Sequence, residues 1–196
     1  LLVHRDLPDM HVLNKERSAW HKERARLFAE SVVDSIPEDH NLLFVDGSLT
    51  DGVVSYGVHA VTPTGENVNV AGRMDGAVTS YEGEMGGILR ATELAGSHGL
   101  LRDRKSTIVA DCHPAVRNAL IPKLGDNLAC NVFEALQTTP NVENLKWTPS
   151  HVGLPGNEAA DSLAALGSTD PDEIMTMPPP SVSARSLQMK NLALQS

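Results

Sequence analysis

Residues 41–74 read NLLFVDGSLTDGVVSYGVHAVTPTGENVNVAGRM, and this stretch decides the fold class. NLLFVD, 41–46, is a short apolar run closed by a carboxylate. VVSYGVHAVT, 53–62, is rich in β-branched residues and interrupted by Gly57. ENVNVAGRM, 66–74, alternates apolar and polar residues, the period of a strand with one buried face. The connecting DGSLTDG and PTGE are turn chemistry, so three consecutive runs predict an antiparallel meander.

Downstream the period changes. YEGEMGGILRATELAGSHG, 81–99, keeps Met85, Ile88, Leu89, Thr92 and Leu94 at helical spacing. Gly83, Gly86 and Gly87 sit in its first turns at up to about 1 kcal/mol each relative to alanine, a cost that predicts close backbone approach to the sheet. STIVAD, 106–111, is a second apolar run ending in a carboxylate. Helices are expected after Pro114 and over 127–137, then a strand ENLKW, a loop TPSHVGLPG, and a helix NEAADSLAALG capped by Gly167. The order βββαβαβα, with one helical slot filled twice, predicts an α/β fold. Its mixed five-stranded sheet has three antiparallel strands, then parallel ones, and helices on its faces.

That unit occupies 41–167. Ahead of it, 1–40 reads as a helical arm ended by Pro37, with Leu13, Trp20, Leu27, Val32 and Val33 spaced among charges. Residues 14–26 hold five basic and two acidic side chains, a net of +3 in a chain whose total is -9. A solvated helix face accounts for them more simply than a nucleic-acid contact. Behind it, 168–196 is rich in Ser and Pro and reads as a linker with at most a short terminal helix.

The chain's 196 residues allow one substantial core. Two cysteines, Cys112 and Cys130, make no disulfide framework, which predicts an intracellular protein, in nucleus or cytoplasm. No stretch approaches the ~18 apolar residues of a membrane span, and LLVHRDLPDM lacks the apolar centre of a signal peptide. The start at Leu1, without Met, predicts a piece of a longer polypeptide. With 16 Lys+Arg against 25 Asp+Glu, a free-standing nucleic-acid binder is disfavoured, because such proteins neutralise phosphates with basic side chains. Carboxylates gathered around a cation are the alternative.

Two apolar strands end in aspartate, at Asp46 and Asp111, where sheet scaffolds collect functional groups. Taken alone, Asp46 caps a turn and Asp111 caps a helix equally well. Glu84 lies on the helix face of Ile88 and Ala91, the face expected to bury, so its carboxylate needs a partner. Asp161 stands one turn after Asn157 and Glu158 in the last helix. Four carboxylates from four elements suit hard cations, which prefer oxygen ligands, and a cation keeps such neighbours ionised. Other signatures fail. A calcium loop starting at Asp46 would need glycine at Asp51 and a carboxylate at Gly57, and no HExxH, P-loop, GxGxxG or GxSxG occurs. Cys112-His113 has no second pair at zinc spacing. Trp147 is expected to pack in the core at a strand end.

The blocks FVDGS, YEGEMGGILRATELA, IVADCHPAVRNAL and WTPSHVGLPGNEAADSLA together resemble the ribonuclease H family, in the form carried by reverse transcriptases of non-LTR retrotransposons. The last block is close to that group's W-x-P-x-H-V-G-x-x-G-N-E-x-A-D-x-L-A pattern, and the resemblance covers about 41–167. It implies hydrolysis of the RNA strand of an RNA-DNA hybrid by two Mg2+ ions, with Mn2+ as a substitute, in a domain covalently linked to a reverse transcriptase. The implied metal ligands are Asp46, Glu84, Asp111 and Asp161, with Asp46 bridging the ions, Glu84 and Asp111 on one side and Asp161 on the other. His151 matches the family's mobile histidine, which helps proton transfer or product release.

Gly47, Ser48, Thr79, Ser80 and Asn157 fall at the implied substrate-binding positions. Gly47 and Ser48 approach the RNA strand, where a 2′-hydroxyl contact separates RNA from DNA, and Asn157 supports the histidine loop. This chain departs from the family at Ser80-Tyr81, in place of an Asn-Asn pair, and at Cys112-His113, in place of Ser-Gln. The basic protrusion of bacterial members is not evident. A catalytically silent connector or nucleic-acid-binding domain is the rival expectation, and the four acids with His151 weigh against it. A recombinase or integrase on the same fold ranks last, since those lack the H-V-G-x-x-G-N-E loop.

Overall fold

The structure, a computed structural model, describes residues 19–177. Lys15 and Arg17 of the basic arm, and the short helix expected near the end of the tail, lie outside the described residues. Helix α1, Ala19–Asp34, precedes the meander β1 (Asn41–Thr50), β2 (Val53–Val61) and β3 (Asn67–Asp75). Then come α2 (Ser80–Ser97), β4 (Ser106–Ala110), α3 (His113–Leu120), α4 (Asn127–Thr138), β5 (Val142–Trp147), α5 (Pro155–Gly167) and β6 (Glu173–Thr176). The sheet order is β5-β4-β1-β2-β3-β6. β1-β2 and β2-β3 are antiparallel, whereas β1-β4, β4-β5 and β3-β6 are parallel. The meander closes at Asp51-Gly52, whose φ values of 51° and 78° are those of a two-residue hairpin turn.

Strand alternation sorts the core into two faces. Leu43, Val45, Ile108 and Ala110 join the larger cluster with Ile88 and Leu94 of α2, Val116 of α3 and Val132 of α4. Phe44 and Val109, one residue out of phase, pack instead with Ala160 of α5, Ile36 and the partly buried Val33. Helix α5 therefore packs on the second face, and α1 contributes Val33 there and Phe28 to the larger cluster. Arg26 on α1 is held by Glu23 and Glu30 of the same helix, so part of the arm's positive charge is balanced locally.

Helix α5 lies directly on β2. A Cβ added at Gly57 would stand 2.1 Å from the Ala160 carbonyl oxygen, and backbone cannot give way as a side chain does. Gly57→Ala is expected to destabilise the fold by about 1–3 kcal/mol. A change below about 0.5 kcal/mol in urea unfolding would contradict this packing.

The sheet has six strands rather than five, because Glu173–Thr176, within the stretch read as a linker, pairs with β3. Four residues are too few for a strand period to stand out. Their anchors are side chains distant in sequence: the Glu173 carboxylate accepts from Tyr56 Oη at 2.8 Å and Arg90 Nε at 2.7 Å, and Asp172 accepts from the Ala71 N–H at 2.9 Å.

Candidate metal centre

β1 and β4 run side by side with Val45 opposite Ala110. β4 stops there, whereas β1 does not end at Asp46 as its apolar run predicts but continues to Thr50, with Asp46 paired to Gly57 of β2. Asp46 therefore stands within β1 beside Asp111 at the end of β4. Helix α2 supplies the third acid. Its N-terminus is fixed by a capping box in which Thr79 Oγ1 accepts from the Glu82 N–H and Glu82 reaches back to the Thr79 N–H. Glycines then let the helix lie against the strands. A Cβ at Gly47 would fall 2.1 Å from the Glu84 nitrogen, and one at Gly87 2.4 Å from Val45 Cγ1. The close approach expected from the glycines of α2 is present and sets Glu84 beside β1 and the end of β4.

One carboxylate oxygen from each of Asp46, Glu84 and Asp111 lies within 4.8 Å of the others. Glu84 is 2% exposed, and its Oε1 accepts only long 3.3 Å contacts from the Asp111 and Cys112 N–H groups. Asp161 is exposed on α5 and lies near enough to Asp46 to accept a hydrogen bond from that carboxyl when it is protonated. Among the described residues, none of the four forms an ion pair with lysine or arginine.

The electrostatic consequence is proton retention. Burial, then the charge of Asp111 and contact with Asp161, pushes Asp46 up to about 8. Burial and the charges of Asp111 and Asp46 hold Glu84 well above the carboxylate range. Asp111 is raised by burial to about 6, with His151 pulling it down. Hard oxygen donors, crowded and lacking an internal counter-cation, match a divalent cation. Cys112 does not compete as a soft ligand, since burial pushes its thiol up to about 11.

The other predicted positions divide. His151 is exposed, with φ 54°, in the loop between β5 and α5, and its charge reaches Asp111. Thr79 and Ser80 are exposed, but the Thr79 hydroxyl is engaged in the cap. Ser48 is half-buried and shares a hydrogen bond with Thr50. Gly47 is accounted for by the packing of α2. Asn157 is 7% exposed, and its Nδ2 donates to Thr148 Oγ1 at 2.9 Å, tying α5 to the start of the histidine loop. Trp147 is buried as expected, and it also donates from Nε1 to the Asp111 carbonyl at 2.9 Å. No sequence period announces that contact.

No family model matches the chain, and no curated protein matches it. Solved structures do. RNase H1 from the halophilic archaeon Halobacterium salinarum aligns with a TM-score of 0.51 at 18% identity, over 65% of this chain and 96% of its own. The chain has the ribonuclease H fold. LC11-RNase H1, isolated from compost by a metagenomic approach, aligns at 0.54 and 18% identity over 66% and 96%. The N-terminal RNase H domain of rv2228c from Mycobacterium tuberculosis aligns at 0.52 and 16% over 66% and 98%. Nearly the whole of each of these structures is thus matched, and about a third of this chain lies beyond the shared ribonuclease H fold.

Proposed function

We propose that residues 41–167, with β6 completing the sheet, form a metal-dependent endonuclease that hydrolyses the RNA strand of RNA-DNA hybrids. We assign it to a reverse transcriptase of the non-LTR retrotransposon kind, on the strength of the block WTPSHVGLPGNEAADSLA. The observation that carries the activity is the trio Asp46, Glu84 and Asp111 within 4.8 Å, with Asp161 against Asp46, on a ribonuclease H fold.

Mg2+ ions held there supply Lewis-acid activation of the attacking water and stabilise charge on the leaving 3′-oxygen. Asp46 lies against Glu84 and Asp111 on one side and Asp161 on the other, so it is the carboxylate that would serve two cations. Glu84 and Asp111 hold the buried side, and Asp161 the exposed one. His151, exposed and with its charge reaching Asp111, would help proton transfer to the departing 3′-oxygen or product release. His151→Ala is expected to lower kcat by about 100-fold or more while Mg2+ binding is retained. An unchanged kcat would remove the histidine from the chemistry. The net charge of -9 implies weak, salt-sensitive binding of the hybrid by this chain alone, consistent with a linked polymerase domain holding the substrate.

The test is a substrate panel with Mg2+ or EDTA: hybrid, single-stranded RNA, duplex RNA and duplex DNA. Selective, Mg2+-dependent cutting of RNA in the hybrid is expected. Cutting of duplex DNA would favour a recombinase-like activity. No cutting, together with no thermal stabilisation by Mg2+, would make the domain a silent connector.

A further inference from the structure

Helix α1 lies outside the βββαβαβα unit, yet it reaches the carboxylate centre through two aromatic rings. Phe28, half-buried on α1, stands 5.8 Å from the Trp147 ring, and His113 packs edge-on to the same indole at 5.8 Å. The indole is 3% exposed and donates from Nε1 to the Asp111 main-chain carbonyl at 2.9 Å. On its other side, the Asp111 N–H is turned to Glu84 Oε1. The Asp111 main chain is therefore held from both ends, by a neighbouring carboxylate and by an indole that packs against Phe28 of α1. The helix is itself anchored: Ala25 and Ala29 are buried, and Lys146 Nζ, next to Trp147, donates to Ser35 Oγ at 2.9 Å just past the helix end.

We propose that Phe28 and Trp147 are positioning residues through which helix α1 sets the divalent-metal affinity of the carboxylate centre. The inference rests on the reading of that centre as a Mg2+ site. Groups that orient metal ligands from behind typically change affinity or activity by 10- to 100-fold when removed. Trp147→Phe deletes the N–H and keeps the ring in the core. Phe28→Ala uncovers the indole but leaves its N–H.

The experiment is calorimetric Mg2+ titration of the full chain, without nucleic acid. Five proteins are compared: the parent, Trp147→Phe, Phe28→Ala, Phe28→Tyr, and Val132→Ala. The last removes core volume in α4 and serves as a control for lost stability. Trp147→Phe is expected to bind Mg2+ about tenfold more weakly, Phe28→Ala several-fold more weakly, and Phe28→Tyr, which keeps the ring contact, like the parent. Val132→Ala should melt lower with unchanged Mg2+ affinity. Parent-like affinity in both Trp147→Phe and Phe28→Ala overturns the positioning role while leaving the metal site standing, as does equal weakening in Val132→Ala. If Trp147→Phe does not fold, the Phe28 pair decides. A parent that binds no Mg2+ overturns both the metal site and the inference.

Discussion

Asp46→Asn is expected to be more stable than the parent in EDTA and at least about a hundredfold less active on an RNA-DNA hybrid. The two effects have one cause. Asp46, Glu84 and Asp111 bring three like charges within 4.8 Å in a largely buried setting, and the parent meets that cost by retaining protons or by binding a cation. Asparagine keeps the side-chain shape and removes the carboxyl that the folded state must otherwise keep protonated or pair with a cation. Substitutions of this kind commonly yield about 0.5–2 kcal/mol, a few degrees in Tm for a chain of this length. The same change removes the carboxylate that adjoins both Asp161 and the buried pair. Cation charge stabilisation contributes several kcal/mol to such a reaction, and each 1.36 kcal/mol is about tenfold in rate. Thermal melts in EDTA and single-turnover cleavage measure the two arms. A mutant that melts below the parent, or that cuts within tenfold of it, would contradict the role given to Asp46.

The second large effect is a stability profile that runs opposite to ordinary acid denaturation. Asp46 is raised from 3.8 to about 8 and Asp111 from 3.8 to about 6, both chiefly by burial. A raised carboxyl binds its proton more tightly in the folded state than in the unfolded one. Its contribution is fully present below about pH 4 and is lost as pH rises through the folded value. Metal-free protein should therefore lose stability between about pH 4 and pH 8, and the shift at Asp111 alone corresponds to a loss on the order of 3 kcal/mol. Glu66, drawn down to about 2 from 4.5 by the Thr62 and Thr64 hydroxyls, works in the opposite direction, and its effect is complete near the foot of this window. His113, lowered by partial burial, works in the opposite direction as a single group.

Saturating Mg2+ replaces the retained protons, so its stabilising effect should grow with pH and flatten the profile. Denaturant unfolding at a series of pH values, with EDTA or Mg2+, checks this. A parent whose EDTA profile is flat or rises from pH 5 to 8, or that keeps the same slope after Asp46→Asn, would count against the carboxyl cluster as its origin.

Asp46 and Asp111 were legible because apolar runs closing on them put a costly carboxylate where packing alone has no use for one, although β1 itself runs on past Asp46 to Thr50, held by its pairing with β2. Glu84 was legible from its phase with Ile88 and Ala91, and all three are buried together. The glycines of α2 carried a steric message, close approach, that the contacts at Val45 and Ser55 express. What stayed hidden depends on contacts between residues far apart in sequence. β6 is four residues long and is anchored through Glu173 to Tyr56 and Arg90, 117 and 83 positions away. For Asn157 the support of the histidine loop was expected from the resemblance, but its partner there, the Thr148 hydroxyl, was not. The seat of Phe28 on Trp147 joins two segments with no shared period. Such pairings are set by how layers stack, which local pattern does not encode.

The central claim is tested most directly by RNA 5′-labelled in a hybrid with DNA, incubated with Mg2+ and either the parent or Asp46→Asn purified identically. Shortened labelled RNA ending in 3′-hydroxyl groups, an intact DNA strand, and no products from Asp46→Asn are the expected results. RNA left intact by the folded, Mg2+-supplied parent, or cut equally by both proteins, would contradict the assignment.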